Sequence, residues 1–180
     1  MIAFYEQNRE TLYIIGQILS LTGPVIGFFV FYSKTRKQIL TAKLTLDIMN
    51  VVQQLMVGMF TGSLICGIMV FREIVFYFRG IKKWASSKLW LVVFLALTIL
   101  SPALTWDGPV SILPAIGTTI SVFSFYSLNP SRTRFLGIFA HSFWLVYTIV
   151  RPNIGGMIAN VVLIGAAIAG LIRDRRETAQ

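Results

Sequence analysis

Five runs without a single charged side chain leave this 180-residue sequence few folds to choose from: Leu12 to Tyr32, Leu89 to Trp106, Val110 to Leu128, Phe135 to Val150 and Ile154 to Ile172. An α-helix rises 1.5 Å per residue, so about 20 apolar residues cross the hydrocarbon of a bilayer. With 56% hydrophobic residues against 16 Lys plus Arg and 7 Asp plus Glu, one soluble core would leave most of the apolar side chains without a place to bury. An all-α membrane protein is the fold class that composition allows. The first run follows Arg9 and Glu10, which do not make a basic leader, and no small-residue cleavage pattern closes it, so it reads as a retained span.

The stretch Leu44 to Phe71 holds 28 residues with Asp47 as its one charge, too long for one ordinary span. It is either one overlong helix or a hairpin turning near Gly58 to Gly62. The basic residues choose between them. With a hairpin, Lys34 to Lys43, Arg79 to Lys88, Arg132, Arg134, and Arg173 to Arg176 all share one side, and only Arg9 and Arg151 lie opposite. The positive-inside rule then gives seven spans, with the N-terminus outside and the C-terminus in the cytoplasm of a cell inner (plasma) membrane. The expected spans are 12–32, 39–58, 62–79, a linker helix within 84–108, 110–128, 134–150 and 154–172.

The first three spans register with the last three at a spacing of 94: Phe31-Tyr32-Ser33 meets Phe125-Tyr126-Ser127, and Gly62 meets Gly156. The turn near Gly58 meets Arg151-Pro152-Asn153. The plan is three plus one plus three: a three-helix bundle in 1–83, a linker helix in 84–108 and a second bundle in 109–180. An odd linker lets both bundles insert with the same orientation.

Trp144 and Asn160 stand sixteen apart on spans six and seven. That spacing and the plan resemble the SWEET and PQ-loop superfamily of small-solute transporters, in which a tryptophan and an asparagine so spaced face a central cavity. Within it, Phe71-Arg72-Glu73-Ile74-Val75-Phe76-Tyr77-Phe78-Arg79 and Phe143-Trp144-Leu145-Val146-Tyr147 are similar to the bacterial YgjV-type inner-membrane proteins. A Pro-Gln pair is absent, and the first repeat carries Asn50 and Cys66 where the second carries Trp144 and Asn160.

Polar side chains inside hydrocarbon are costly, so they face protein or water. Asp47, Asn50 and Gln54 fall on one arc of span two, and the repeat puts His141, Trp144 and Thr148 on the matching arc of span six. The two stripes should oppose one another across a cavity between spans two, three, six and seven. Asn50, Gln54, Cys66, Trp144, Thr148 and Asn160 are the candidate solute-binding residues, with Gln53 and Tyr147 on a neighbouring arc. Asp47, Arg72 and His141 are the candidate gate or charge site. Asp47 and Arg72 lie at one depth of the hairpin and could pair across it; otherwise Arg72 snorkels outward and Asp47 neutralises it or Lys43. Glu73 points elsewhere, toward a basic loop. His141 is either a hydrogen-bonded packing residue or a proton relay. Gly16, Gly23 and Pro24, or Pro114 and Gly117, offer places for the first helix of each bundle to bend. Gly165 and Gly170, with Ala166, Ala167 and Ala169, read as close-packing surface.

With one histidine and one cysteine, no metal-ligand set or catalytic triad can be assembled, and no phosphate-cradling loop is present. No cofactor, no metal and no enzyme activity are expected. The formal charge of +9 comes in short runs between apolar stretches, which suits anionic lipid headgroups on the cytoplasmic side better than nucleic acid. The expected function is a facilitator of a small polar solute such as a sugar, nucleoside or vitamin, working by alternating access. The alternative is a non-transporting membrane protein that binds lipid or a protein partner. A homo-oligomer stays open.

Overall fold

The computed structural model describes residues 7–106 and 108–178, and among these there are helices and turns but no strands. The elements are α1 (Arg9–Ser20), α2 (Gly23–Tyr32), α3 (Arg36–Met56), α4 (Phe60–Phe78), α5 (Leu89–Leu104), α6 (Ile112–Tyr126), α7 (Pro130–Val150) and α8 (Ile154–Thr178). Short 3-10 turns at Trp84–Ser86 and Pro109–Ser111 precede α5 and α6. α1 and α2 form one interrupted helix, so seven helices result. Five are long and apolar enough to cross a membrane: Arg9–Tyr32, Phe60–Phe78, Pro109–Tyr126, Pro130–Val150 and Ile154–Arg176. Leu89–Leu104 is apolar but shorter. α3 carries four charged residues, Arg36, Lys37, Lys43 and Asp47, which dilute its hydropathy.

Local chemistry explains the boundaries. Thr35 and Gln38 cap α3 reciprocally, each side chain accepting from the other's backbone N–H at 3.3 Å. Asn129 accepts from the N–H groups of Ser131 and Arg132 at 2.9 and 3.4 Å, and Pro130 opens α7 where a missing N–H costs nothing. The stretch Leu44 to Phe71 is a hairpin: α3 stops at Met56, and Gly58 adopts φ 77°, a left-handed value that suits glycine. The first helix breaks at Leu21 and Thr22, just ahead of Gly23-Pro24, where the proline ring removes an N–H. No equivalent break occurs in α6, because Pro114 sits in its first turn and displaces no helical hydrogen bond.

Hydrogen bonds show where the helix ends meet. At one end Arg36 donates to Phe76 O and Ser127 O (2.6 and 3.3 Å), Arg134 donates to Phe31 O and Ser33 O (2.8 and 2.7 Å), and Arg173 donates to Tyr32 O (2.8 Å). At the other, Tyr13 and Gln17 donate to Pro152 O, and Thr61 donates to Thr105 O. The helices therefore run alternately between two ends. Large apolar side chains such as Ile14, Val25, Phe71 and Leu104 cover the perimeter, while Asp47, Arg72, Glu73, Thr98 and Ser124 are wholly buried. This inside-out distribution suits a lipid surround.

The spacing of 94 reappears in the helix ends. Tyr32, Arg36, Met56 and Phe60 become Tyr126, Pro130, Val150 and Ile154, which are the corresponding boundaries in the second half. The residues that end α2 and α6, Ser33 and Ser127, have nearly the same backbone (φ −58°, ψ 143° and φ −62°, ψ 142°).

The interrupted first helix packs on α3 and on α8, where small residues permit close approach. A Cβ on Gly155 would lie 1.9 Å from Ser20 Oγ and 2.4 Å from the Ser20 backbone carbon. Because backbone cannot step aside as a side-chain tip can, Gly155→Ala should destabilise the detergent-solubilised chain by about 1–3 kcal/mol. Gly165→Ala, with nothing within 4 Å, is the control, and equal unfolding midpoints for the two variants would refute the contact. The same geometry corrects one sequence reading. Gly170 does pack, against Arg134 and Phe31 O, and Ala166 and Ala167 are buried, but Gly165 and Ala169 lie on the exposed face of α8.

Candidate functional site: a polar cavity at the centre of the bundle

α3, α4, α7 and α8 enclose a polar cavity of about 40 Å³. Its wall includes Asp47, Asn50, Gln53 and Gln54 from α3, Cys66 and Met69 from α4, Ser121 from α6, His141, Trp144 and Thr148 from α7, and Asn160 from α8. Lys43 and Asn153 line it too. Eight of the nine residues selected from sequence thus converge on one space; Arg72 does not line it. All eight are buried except Asn50, which is half-buried. The cavity has room for a few water molecules at most.

For Asp47 the structure takes the alternative partner named from sequence, Lys43; for Arg72 and Glu73 it departs from expectation. Asp47 pairs with Lys43 one turn earlier on the same helix, and not with Arg72. Arg72 neither snorkels nor crosses to α3: it is fully buried, and its Nε and Nη2 donate to Glu73 Oε2 and Oε1 at 3.0 and 2.7 Å. Glu73 therefore meets no loop. Depth along a hairpin identifies groups that can meet, but an i,i+4 partner lies nearer, and it took Asp47. Arg72 also donates to Ser121 Oγ at 3.2 Å and lies over the Phe125 ring at 5.0 Å, so the ion pair fastens α4 to α6 from behind the cavity wall.

The uncharged polar groups are partly spent on protein. Trp144 Nε1 donates to Thr118 Oγ1 at 3.2 Å, and its ring meets Tyr147 edge-on at 5.8 Å. Asn160 Nδ2 donates to Gly156 O at 2.8 Å, which turns its Oδ1 toward His141 Nδ1 at 2.9 Å. His141 is thus hydrogen-bonded and packed edge-on against Phe31 at 5.5 Å. Gln54 Nε2 donates to Cys66 Sγ at 3.3 Å, Thr148 donates to Leu145 O at 2.9 Å, and Asn153 Nδ2 donates to Gln53 Oε1 at 3.3 Å. Yet Asp47 Oδ2, Gln53 Nε2, Gln54 Oε1 and His141 Nε2 are buried and make no hydrogen bond to protein.

A family model described as a bacterial inner membrane protein, Imp-YgjV, matches residues 14–178. The chain belongs to the Imp-YgjV family. No curated protein and no solved structure matches it. Membership makes this a bacterial inner membrane protein, in agreement with its helices, and the match runs through all the cavity residues of this Imp-YgjV chain.

Sequence reading passed over Lys43, Ser121 and Asn153 as wall residues. Lys43 was legible, since it stands four residues before Asp47 and an acid and a base so spaced share a helix face. Asn153 was taken as a turn residue only. Ser121 had no signal, because its role comes from Arg72 reaching it across a helix interface.

Proposed function

We propose that this chain is a multi-pass inner-membrane carrier of a small polar solute, of the size class of a sugar, nucleoside or vitamin. In this reading it crosses seven times, with its N-terminus outside and its C-terminus in the cytoplasm. Two SWEET-like three-helix units, in 1–83 and 109–180, are joined by a linker helix in 84–108 and move against one another to alternate access; residues 1–6, 107, 179 and 180 within these bounds lie outside the described residues.

The observation that carries the proposal is the convergence of polar side chains from both halves on one enclosed cavity where several of their atoms find no protein partner. Buried unsatisfied polar atoms cost free energy and persist where they meet something else. The symmetry supports it. Units related by a two-fold axis bring their equivalent residues together on that axis. Phe31 stacks on Phe125 at 6.1 Å at one end of the cavity, and Asn153 Nδ2 reaches Met59 Sδ at 3.7 Å at the other, both pairs 94 apart. Arg79 lies over Tyr126 and donates to Tyr126 O, while its equivalent, Arg173, lies over Tyr32 and donates to Tyr32 O.

At about 40 Å³ the cavity is contracted, so carrying such a solute requires the halves to part. The small volume is also the observation that favours the second reading, a non-transporting protein that uses the fold to bind lipid or a protein partner. A thermal-shift screen of the detergent-purified chain against sugars, nucleosides, vitamins and amino acids separates the two. The carrier reading expects one class to stabilise the protein and Asn160→Ala, which frees His141 Nδ1, to lose about tenfold or more in affinity. If no class stabilises it, or if Asn160→Ala binds the active class unchanged, the site is not a solute site.

A further inference from the structure

We infer that the groove between α5 and the α3–α4 hairpin holds an acyl chain of an anionic phospholipid, whose headgroup sits on Lys82, Lys83 and Lys88. The inference goes beyond the carrier reading and does not depend on it.

The groove has a volume of about 820 Å³, and Gly67 opens its middle, since a Cβ there would meet nothing within 4 Å. Along α4 its wall runs from Phe60 to Val75, about 22 Å at 1.5 Å per residue, which exceeds the roughly 15 Å of hydrocarbon in one leaflet. The donors among the wall side chains are spent on the protein: Ser63 Oγ donates to Val51 O at 2.9 Å, Thr105 Oγ1 to Ser101 O at 3.0 Å and Trp90 Nε1 to Trp84 O at 2.9 Å. A polar solute gains nothing there, whereas hydrocarbon fits it. The given volume over the given length leaves a mean cross-section of about 37 Å², less than half that of an α-helix about 10 Å across. A lipid tail can lie inside; a helix of a second copy cannot.

The ends of the groove set the charge of the headgroup. Residues 81–88 hold Lys82, Lys83 and Lys88 and no acid; all three lysines are exposed, and none is in a salt bridge with the described residues. This turn covers the Trp90 end of the groove: the Trp84 ring packs on Phe78 and Trp90 at 6.1 and 6.2 Å, and Lys88 stands two residues before Trp90. Indole rings at that level suit the boundary between hydrocarbon and headgroups. The connection at the opposite end, 105–111, carries Asp107 and no Lys or Arg. Lys37, Arg132 and Arg176 are exposed too, but they stand on α3, α7 and α8 and line no part of the groove. Three unneutralised cations beside an apolar channel favour a phosphate with a net negative charge over a zwitterion.

The test titrates the delipidated full chain, in detergent micelles, with dioleoyl-phosphatidylglycerol or dioleoyl-phosphatidylcholine and reads thermal stability and bound lipid per chain. Phosphatidylglycerol should bind with at least about tenfold tighter apparent affinity than phosphatidylcholine. Lys82→Gln with Lys83→Gln and Lys88→Gln should bring it down to the phosphatidylcholine level. The control triple, Lys37→Gln with Arg132→Gln and Arg176→Gln, removes as much charge from the same end and should keep the preference. Gly67→Leu fills the groove and should weaken both lipids several-fold, while Gly165→Leu, on the exposed face of α8, should weaken neither. The lysines sit in an exposed turn, so their variant stays informative if Gly67→Leu misfolds. Equal binding of the two lipids overturns the inference, as does an equal loss in the two triple variants or unchanged binding in a folded Gly67→Leu. A dimer in detergent that Gly67→Leu abolishes would give the groove to a second copy and overturn it as well.

Discussion

Glu73→Gln should lower the stability of the detergent-solubilised chain by about 3–5 kcal/mol, whereas the double variant Arg72→Met with Glu73→Leu should recover most of that loss. Arg72 and Glu73 are both fully buried, and the carboxylate accepts two hydrogen bonds from the guanidinium. Neutralising the acid leaves a cation in a low-dielectric interior with Ser121 Oγ and the Phe125 ring as its remaining partners. Removing both charges removes the desolvation cost with them. Denaturant titration of the parent, Arg72→Met, Glu73→Leu and the double variant, the four corners of a double-mutant cycle, measures the coupling, with Glu73→Gln measured beside them. A single variant within about 1 kcal/mol of the parent would mean that the pair is hydrated, contrary to its burial.

Arg79→Gln combined with Arg173→Gln should raise the alkylation rate of Cys66 about tenfold or more. Each arginine ties the end of one half to the other, through a carbonyl of Tyr126 or Tyr32 and the face of the same ring. A hydrogen bond from a charged group contributes about 1.5–3 kcal/mol, and about 1.4 kcal/mol shifts an opening equilibrium tenfold. Cys66 is the one cysteine of the sequence, is buried, and lines the cavity, so its reaction with a small maleimide reports how often the cavity admits solvent. The single variants should show intermediate rates. An unchanged rate in the double variant would show that these contacts do not hold the cavity shut.

Much of this was readable in one dimension because a bilayer imposes simple rules. The uncharged runs gave the helices, and the basic clusters separated a hairpin from one overlong helix between Leu44 and Phe71. Four helix boundaries of the first half, Tyr32, Arg36, Met56 and Phe60, recur 94 residues on, while the expected ends at 128, 134 and 172 fell instead at Tyr126, Pro130 and Thr178. The convergence of Asn50, Gln54, Cys66, Trp144, Thr148 and Asn160 followed from putting polar arcs on the protein side of their helices. What was misjudged involved choice among neighbours. Asp47 had Lys43 and Arg72 within plausible reach, and a depth argument could not rank them. Arg72 and Glu73 are adjacent, and adjacent positions on a helix point apart unless long side chains curl together in the interior, as these do.

The sequence by itself determined the class of molecule: helices, an apolar exterior, several segments fit to cross a bilayer, and the short roster of polar residues that hydrocarbon will not accept. Those are consequences of composition and period, which act on each segment separately. Only the tertiary structure decided which acid met which base, that Asn160 Oδ1 meets His141 Nδ1, and that the cavity holds about 40 Å³, with four buried polar atoms near it that make no hydrogen bond to protein. These depend on distances of a few ångströms between helices, and hydropathy along a chain carries no such information.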